Sequence, residues 1–426
     1  MSRLRSMVGL LAAGAILLVA GCSGSSPEGG GGGGGGGAQA TGPITFAIGK
    51  DTSNFFPARL NEWNGMHPDQ KVTLIELPEQ ADQQRQQFAT TLQAKSDRYD
   101  VLGLDVVWTA EFAKEGWIQE LNKSDYPQDK YLPGAYESAV FENKLWAAPL
   151  RTNGGLLFYR KDLLDKEGLQ PPKTWDEVEQ DAKTLGPKYK IGGFGGLFSK
   201  YEGLTVQFSE LTWAAGGNIM DANGSVQVDS PQARKALTFL QDGFKQGWIP
   251  KEAITYSEEP MRRAFEQGKL LFMREWPYAY NLAKKNPKIA DKFDVMPLPG
   301  FADGKPATAV GGYNLAISNF SKKKGTANEF IKWLTNEANQ KEQLLKSSEV
   351  PTLKALYDDP SLQQQVPYLK DMKENLLNSR SRPVTPFYND VSLAIQENAY
   401  AAEQDKKSPD QAIKDMAGAM QSAVTQ

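Results

Sequence analysis

The residue types that most often carry catalysis or bind metals are scarce in this chain. Its 426 residues include one histidine, His67, and one cysteine, Cys22. Because Cys22 lies at the end of the N-terminal apolar stretch, a Cys/His metal site, a Cys–His nucleophile pair and disulfides are unavailable within the mature domain. A Ser-His-Asp triad would have to use His67, which stands beside Pro68 in a polar stretch. The sequence thus favours neither a metal site nor the commonest form of nucleophilic catalysis.

The overall composition indicates a folded protein that does not bind nucleic acid. Hydrophobic residues make up 40% and charged residues 23%, as in ordinary globular proteins. There are 48 Lys and Arg residues against 51 Asp and Glu residues, for a net charge of −3, whereas nucleic-acid binders usually carry a basic surplus. The length is enough for two or three domains.

Hydrophobic patterning predicts two α/β lobes. Strands alternate with helices up to about residue 150, and the pattern restarts at about residue 156, which is typical of mostly parallel sheets covered by helices. The predicted strands are 44–48, 72–77, 99–104, 156–159, 269–273, 293–297 and 308–317. The remainder of the chain is predicted to be mainly helical. The glycine-rich stretch 192–196 lacks the GxGxxG spacing and no Walker lysine follows it, so a loop is predicted there.

The first 22 residues are typical of an export signal. Arg3 and Arg5 precede an apolar run at 8–20, which is shorter than the ~20 residues of a permanent membrane span. The run ends in LVAGC at 18–22, which resembles the lipobox of bacterial lipoproteins. That resemblance implies that Cys22 receives a diacylglyceryl group and becomes the mature N-terminus. The alternative is an ordinary signal peptide with an incidental cysteine.

Residues 23–42 are predicted to be a flexible tether. They include nine consecutive glycines, which have no side chains to bury and high backbone entropy. With a lipid on Cys22, the rest of the chain would be held at the outer face of the cytoplasmic membrane. The lipid would be its only membrane anchor.

A set of short motifs follows in order along residues 43–426. The longest is YDVLGLDVVWTAEFA at 99–113, with GWI at 116–118. The others are WAAP at 146–149, NGGLLFYR at 153–160, PKTWDE at 172–177, AFEQG at 264–268, FMREWPY at 272–278, GGY at 311–313 and RPVTP at 382–386. The ordered set resembles the extracellular solute-binding proteins (family 1) of carbohydrate ABC importers. More narrowly, it resembles their trehalose/maltose-binding branch.

The resemblance implies a two-lobed periplasmic-binding-protein-like fold of type II. Each lobe would be a mostly parallel α/β sheet flanked by helices, and a hinge of two or three crossing strands would link the lobes. Carried over to this chain, the first lobe comprises 43–150 and 308–350, and the second comprises 151–307 and 351–426. Crossings are expected near 151–153 and 297–308. A sugar would lie between the lobes, which close on it by hinge motion.

For three candidate ligand residues, physical chemistry also supports a contact with the sugar. Asp105 ends an apolar strand, and ligands of open α/β sheets lie beyond the carboxyl ends of the strands. A sugar needs acceptors and bidentate donors for its hydroxyls, which Asp105 and Arg382 supply. It also needs an aromatic face for its C–H side, which Trp276 supplies. The alternative roles are a helix N-cap for Asp105 and a core position for Trp276.

Further candidates come from matching to the family alone. They are Arg85, Asn153, Glu258, Gly312 and Tyr313. Arg85 has the alternative of a solvated arginine on a polar helix, and Glu259 is an alternative to Glu258. Glu275 stands where the family often has Asn, which leaves the fine specificity open.

We therefore expect a monomeric, lipid-anchored receptor for an α-linked disaccharide, with trehalose first and maltose-type sugars next. It would deliver the sugar to an ABC permease, without a metal, a cofactor or any chemistry of its own. One alternative is a binding protein for another oligosaccharide or a glycerol-phosphate-type solute, although phosphate would favour more Lys and Arg in the cleft. The other is a secreted glycoside hydrolase. It would need two suitably spaced carboxylates, and no hydrolase motif is present.

Overall fold

The structure is a computed structural model that describes residues 40–221 and 223–425. The predicted signal peptide, Cys22 and most of the predicted tether lie outside the described residues. The strands are β1 (Ile44–Gly49), β2 (Val72–Leu77), β3 (Val101–Asp105), β4 (Val140–Phe141), β5 (Lys144–Leu145), β6 (Ala148–Asn153), β7 (Leu156–Tyr159), β8 (Gly192–Gly195), β9 (Leu270–Glu275), β10 (Asp294–Pro297) and β11 (Gly311–Ile317).

Helices cover both sheets and form most of the C-terminal part of the chain. They are α1 (Phe55–Met66), α2 (Ala81–Gln93), α3 (Thr109–Lys114), α4 (Pro133–Glu137), α5 (Lys161–Glu167), α6 (Trp175–Tyr189), α7 (Glu202–Ala214), α8 (Pro231–Gln246), α9 (Glu258–Glu266), α10 (Tyr278–Lys285), α11 (Lys324–Leu334), α12 (Glu337–Ser347), α13 (Pro360–Gln365), α14 (Leu369–Leu377), α15 (Tyr388–Glu403) and α16 (Pro409–Val424). Among the described residues, no helix combines the length and the apolar character that crossing a bilayer requires.

The first sheet has five strands in the order β2-β1-β3-β11-β6. β1 is parallel to β2 and β3, whereas β11 is antiparallel to both β3 and β6, so four of the five strands share one direction. Apolar side chains such as Phe46, Leu102 and Ile317 are fully buried in this sheet. Helices α1, α2 and α11 pack on its strands.

The second sheet has four strands in the order β10-β7-β9-β8. β7 is antiparallel to both of its neighbours and β8 is parallel to β9, so three of the four strands share one direction. Phe158, Phe194 and Phe272 are buried in its core. The predicted α/β class, with mostly parallel sheets flanked by helices, is confirmed.

The glycine-rich stretch 192–196 is not the predicted loop, because most of it forms the edge strand β8. The sheet here packs so closely on α6 that a Cβ on Gly193 would lie 2.5 Å from the Cβ of Ala182. Glycine is therefore required for close packing between strand and helix rather than for a turn.

The chain passes between the sheets through short segments. β6 of the first sheet ends at Asn153 and β7 of the second begins at Leu156, so that Gly154 and Gly155 alone join them. This crossing follows directly after the expected 151–153. The chain returns between Pro297, which ends β10, and Gly311, which begins β11. The limits of the two lobes stay a prediction.

Candidate functional site

A cleft with about 1010 Å³ of empty space lies between residues of the two sheets and their helices. Strands β1, β3, β6 and β9 all end at or beside it, which is where open α/β sheets place ligands. Seven of the eight candidate ligand residues line it. They are Asp105, Asn153, Glu258, Trp276, Gly312, Tyr313 and Arg382.

Asp105 and Arg382 form part of one ion-pair network at the floor of the cleft. Nη2 of Arg382 lies 3.3 Å from Oδ1 of Asp105 and also donates to the carbonyl oxygen of Val310 at 3.3 Å, while Nη1 pairs with Glu202. Burial raises the pKa of Asp105, and the positive charge of Arg382 opposes that rise. Asp105 also accepts from the backbone N–H of Val107 at 3.2 Å. The carboxylate of Asp105 thus both caps the turn that follows β3 and lines the cleft.

Glu202 joins the two sides of the cleft, and its role was not predicted from the sequence. Its carboxylate accepts hydrogen bonds from the hydroxyls of Tyr388 and Ser392 as well as from Arg382. Its backbone N–H donates to Oδ2 of Asp82 on α2 at 2.7 Å, so α7 and α2 touch across the cleft. Burial raises the pKa of Glu202 to about 7.

Trp276 follows β9 and is half-buried, with its indole at the cleft. The guanidinium of Arg274 covers one face of the ring, with Cζ 3.9 Å from the ring centroid. The backbone of Gly311 approaches the same ring so closely that a Cβ there would lie 2.8 Å from it. The indole is thus held in place by β9 and β11 while remaining part of the cleft wall.

Glu258 lines the cleft, whereas Glu275, the last residue of β9, is buried and does not line it. Glu258 begins α9 and accepts from the hydroxyl of Tyr201 at 2.8 Å. Glu275 is fully buried, with Oε1 accepting from the backbone N–H of Trp276 at 2.7 Å and Oε2 lacking a partner among the described residues. Burial, followed by the charge of Glu258, raises the pKa of Glu275 well above its ordinary range. Burial therefore favours the neutral form of the Glu275 carboxyl over an extra negative charge beside the ligand.

Asn153 has one side-chain oxygen without a hydrogen-bond partner among the described residues. Its Nδ2 donates to Oε2 of Glu349 at 3.0 Å, whereas its buried Oδ1 has no hydrogen-bond partner among the described residues. A ligand hydroxyl could satisfy this acceptor, since buried polar atoms are normally paired.

Gly312 and Tyr313 line the cleft from β11. Gly312 has φ +117°, and a Cβ there would lie 2.2 Å from the carbonyl oxygen of Arg151, so only glycine fits. The hydroxyl of Tyr313 donates to Oε1 of Gln84 at 3.1 Å, and its ring lies 4.6 Å from the Arg151 guanidinium.

The structure does not bring Arg85 to the cleft wall. Its guanidinium forms an ion pair with Glu111 of α3, with Nε donating to Oε2 at 2.8 Å. Contact between Arg85 and a ligand stays a prediction. Several lining residues were not singled out from the sequence, including Lys50, Gln84, Arg151, Tyr201, Glu202 and Glu349.

Every cationic side chain of the cleft wall already has a carboxylate partner. The pairs are Lys50 with Glu79 (3.2 Å), Arg151 with Glu349 (3.3 Å), and Arg382 with Asp105 (3.3 Å) and Glu202.

Two further carboxyl groups of the cleft wall differ from each other. Glu259 is paired with Arg262 at 2.7 Å, whereas Glu258 forms no ion pair within residues 40–221 and 223–425. One carboxyl group of the cleft wall, that of Glu258, therefore lacks a cationic partner. The described residues of the wall provide no unpaired cation that could bind an anionic ligand. No cluster of three or more potential metal ligands occurs in these same ranges.

Comparison with known protein families shows to which family the chain belongs. A family model described as bacterial extracellular solute-binding protein matches residues 47–341. The chain belongs to this family. One relative of this solute-binding protein, a probable ABC transporter-binding protein of Deinococcus radiodurans, is 33% identical over 82% of this chain and 85% of its own length. A galactooligosaccharide-binding protein of Bacillus subtilis is 27% identical over 75% of this chain and 76% of its own length.

A solved structure matches nearly the whole solute-binding protein. Maltose-bound MalE3 of T. maritima superposes with a TM-score of 0.85 and 35% sequence identity, covering 89% of this chain and 99% of that one. The match confirms the predicted two-lobed, periplasmic-binding-protein-like fold.

Proposed function

We propose that this solute-binding protein captures an uncharged α-linked disaccharide, trehalose or a maltose-type sugar, and hands it unaltered to an ABC permease. The observation that carries the proposal is the wall of the cleft. It joins a half-buried indole, Trp276, to carboxylate and amide acceptors, and each of its cations is neutralised by a carboxylate.

A neutral sugar fits this set of groups. Sugar hydroxyls would donate to Glu258, Asp105 and the unpartnered Oδ1 of Asn153, and the apolar face of the ring would stack on Trp276. An anionic solute would instead need an unpaired cation in the cleft, and the N-termini of α7 and α9 at the cleft already carry the carboxyl groups of Glu202 and Glu258. The maltose bound to MalE3 and the galactooligosaccharide named for the B. subtilis relative support a saccharide ligand.

Binding would be coupled to closure of two lobes, with 43–150 and 308–350 as the first and 151–307 and 351–426 as the second. Contacts such as that of Asp82 with the backbone of Glu202 would form when the halves approach each other. A ligand shifts such an equilibrium only through contacts that favour the closed form. The permease would then recognise the closed, loaded protein, a monomer held to the membrane through Cys22.

A thermal-shift screen of the wild-type protein tests this function. The panel contains trehalose, maltose, galactooligosaccharide, mannitol and glycerophosphocholine. A sugar at about a hundred times its Kd should stabilise the fold by ~2.7 kcal/mol, and we expect trehalose or maltose to give the largest shift. A shift with glycerophosphocholine alone, or release of glucose from either disaccharide, would contradict the proposal.

A further inference from the structure

We propose that the buried ion pair of Glu210 and Arg274 is a positioning device that ties the orientation of Trp276 to the segments crossing between the lobes. The inference rests on the proposed function, because Trp276 matters only as a surface on which a sugar stacks. Arg274 and Glu210 do not line the cleft and would act through the indole.

The pair fixes the plane of the arginine. Both side chains are fully buried, with Nη2 of Arg274 2.6 Å from Oε1 of Glu210 and Nε 2.8 Å from Oε2. Two parallel hydrogen bonds to one carboxylate leave a guanidinium little rotational freedom. A buried ion pair is weak evidence for a stabilising role, because desolvation offsets much of its attraction. Its geometry is therefore the more informative feature.

The fixed guanidinium sets the position of the indole. Cζ of Arg274 lies 3.9 Å from the centroid of Trp276, close enough for cation–π attraction as well as packing. The backbone of Gly311 abuts the same ring. A shift of the guanidinium plane would therefore move or loosen the indole.

The other side of the pair is attached to the crossing segments. Oε1 of Glu210 accepts from the backbone N–H of Ala309 at 3.0 Å and from the hydroxyl of Thr308 at 3.3 Å. The Thr308 hydroxyl in turn accepts from the backbone N–H of Gly155 at 2.6 Å. Gly155 belongs to the first crossing, and Thr308 and Ala309 belong to the return segment between β10 and β11.

One carboxylate thus connects both crossings to the arginine that supports the indole. Space is restricted as well, since a Cβ on Gly155 would lie 2.7 Å from Nη2 of Arg274. A change of backbone angle at either crossing must alter this contact set. The ring would consequently reach its stacking orientation only at one hinge angle, which links sugar contact to closure.

The substitution Arg274→Lys tests the coupling because it keeps the charge and removes the planar fork. We expect maltose affinity, measured by calorimetry, to fall at least about tenfold. The near-UV circular dichroism of Trp276, isolated by subtracting the spectrum of Trp276→Phe, should also change. Arg160→Lys is the matched control, because Arg160 makes a similar two-bond pair with Asp162 away from the indole. The control should bind maltose as the wild type does.

A double-mutant cycle separates positioning from general stability. If Arg274 acts through the indole, Arg274→Lys should add little to the loss already caused by Trp276→Ala. Additive losses, or a folded Arg274→Lys protein with wild-type affinity and an unchanged Trp276 spectrum, would overturn the inference. Glu210→Gln, which keeps the shape of the side chain, is measured by the same readouts in case Arg274→Lys does not fold. If the wild type binds no saccharide, the proposed function fails, and the ligand-free Trp276 spectra still decide whether the pair positions the ring.

Discussion

At the scale of single residues, most charged groups of the cleft are already engaged with one another. Arg382 is held between Asp105 and Glu202, and Arg151 faces Glu349. Such prearranged groups need little reorganisation when a ligand arrives, which favours affinity. The strand-end position of Asp105 and the polar setting of Trp276 could be predicted from local sequence. The pairing of each cation with a carboxylate could not, because the partners are up to 277 residues apart.

Removing the indole of Trp276 should weaken sugar binding. We expect Trp276→Ala to reduce maltose affinity by ~2 kcal/mol or more, because stacking and apolar contact are lost together. Trp146→Ala is the control, since Trp146 is also half-buried but lies outside the cleft. Titration calorimetry compares the two variants, and an unchanged affinity of Trp276→Ala would show that the ring does not contact the ligand.

Removing the Asp105 carboxylate should leave ligand hydroxyls and part of Arg382 without a partner. Asp105→Ala is expected to weaken maltose binding by ~1.5–3 kcal/mol. Asp97→Ala removes an exposed carboxylate that pairs with Lys322, and it should leave the affinity unchanged. Equal affinities for the two variants would contradict a ligand role for Asp105.

At the scale of secondary-structure elements, the strands were easier to predict than the helix that serves the site. The strands that form the two sheets carry short apolar runs, and most were placed correctly. Every residue of α7 is buried, so this helix has no polar face and no 3.6-residue pattern to reveal it. Yet α7 supplies both Glu202 and Glu210, which pair with Arg382 and Arg274. The edge strand β8 was not predicted, because its glycines can be recognised as close-packing residues only when the position of α6 is known.

The N-terminal end of α7 should make stability depend on pH. Burial raises the pKa of Glu202 to about 7, above the ordinary value of an unfolded chain, so the folded state favours the protonated form. The contribution of Glu202 to the free energy of unfolding is complete below about pH 4.3 and is lost as the pH rises through about 7, a change of roughly 3–4 kcal/mol. We expect the melting temperature to fall between pH 5 and 8, and to fall less steeply in Glu202→Gln.

The control for this comparison is Glu397→Gln, which alters an exposed carboxylate paired with Lys200. It should retain the pH dependence of the wild type. Equal slopes for Glu202→Gln and the wild type would show that Glu202 does not titrate in this range.

At the scale of the whole molecule, the order of motifs along the chain was more informative than any single motif. It predicted the two-lobed fold and the family, both of which were then confirmed. It pointed both to Arg382, which lines the cleft, and to Arg85, whose guanidinium pairs with Glu111 on a neighbouring helix and whose contact with a ligand stays a prediction. The choice between such contacts depends on three-dimensional packing, which motif order does not report.

The proposed anchoring of the whole protein depends on Cys22. In the full chain expressed in a bacterial host, Cys22→Ser should move the protein from the membrane pellet to the supernatant, because the acyl chains provide the binding energy. Ser23→Ala, which leaves the cysteine in place, should stay in the pellet. Continued sedimentation of Cys22→Ser with the membranes would reject the lipid anchor.

A crystal structure of the protein grown with maltose would show whether the cleft binds an intact saccharide against Trp276. We expect one intact disaccharide between the two sheets, with a sugar ring about 4 Å from the face of Trp276 and hydroxyls bonded to Glu258, Asn153 and Asp105. A saccharide bound elsewhere, a cleaved sugar in the cleft, or an empty cleft at saturating maltose and likewise at saturating trehalose would contradict it.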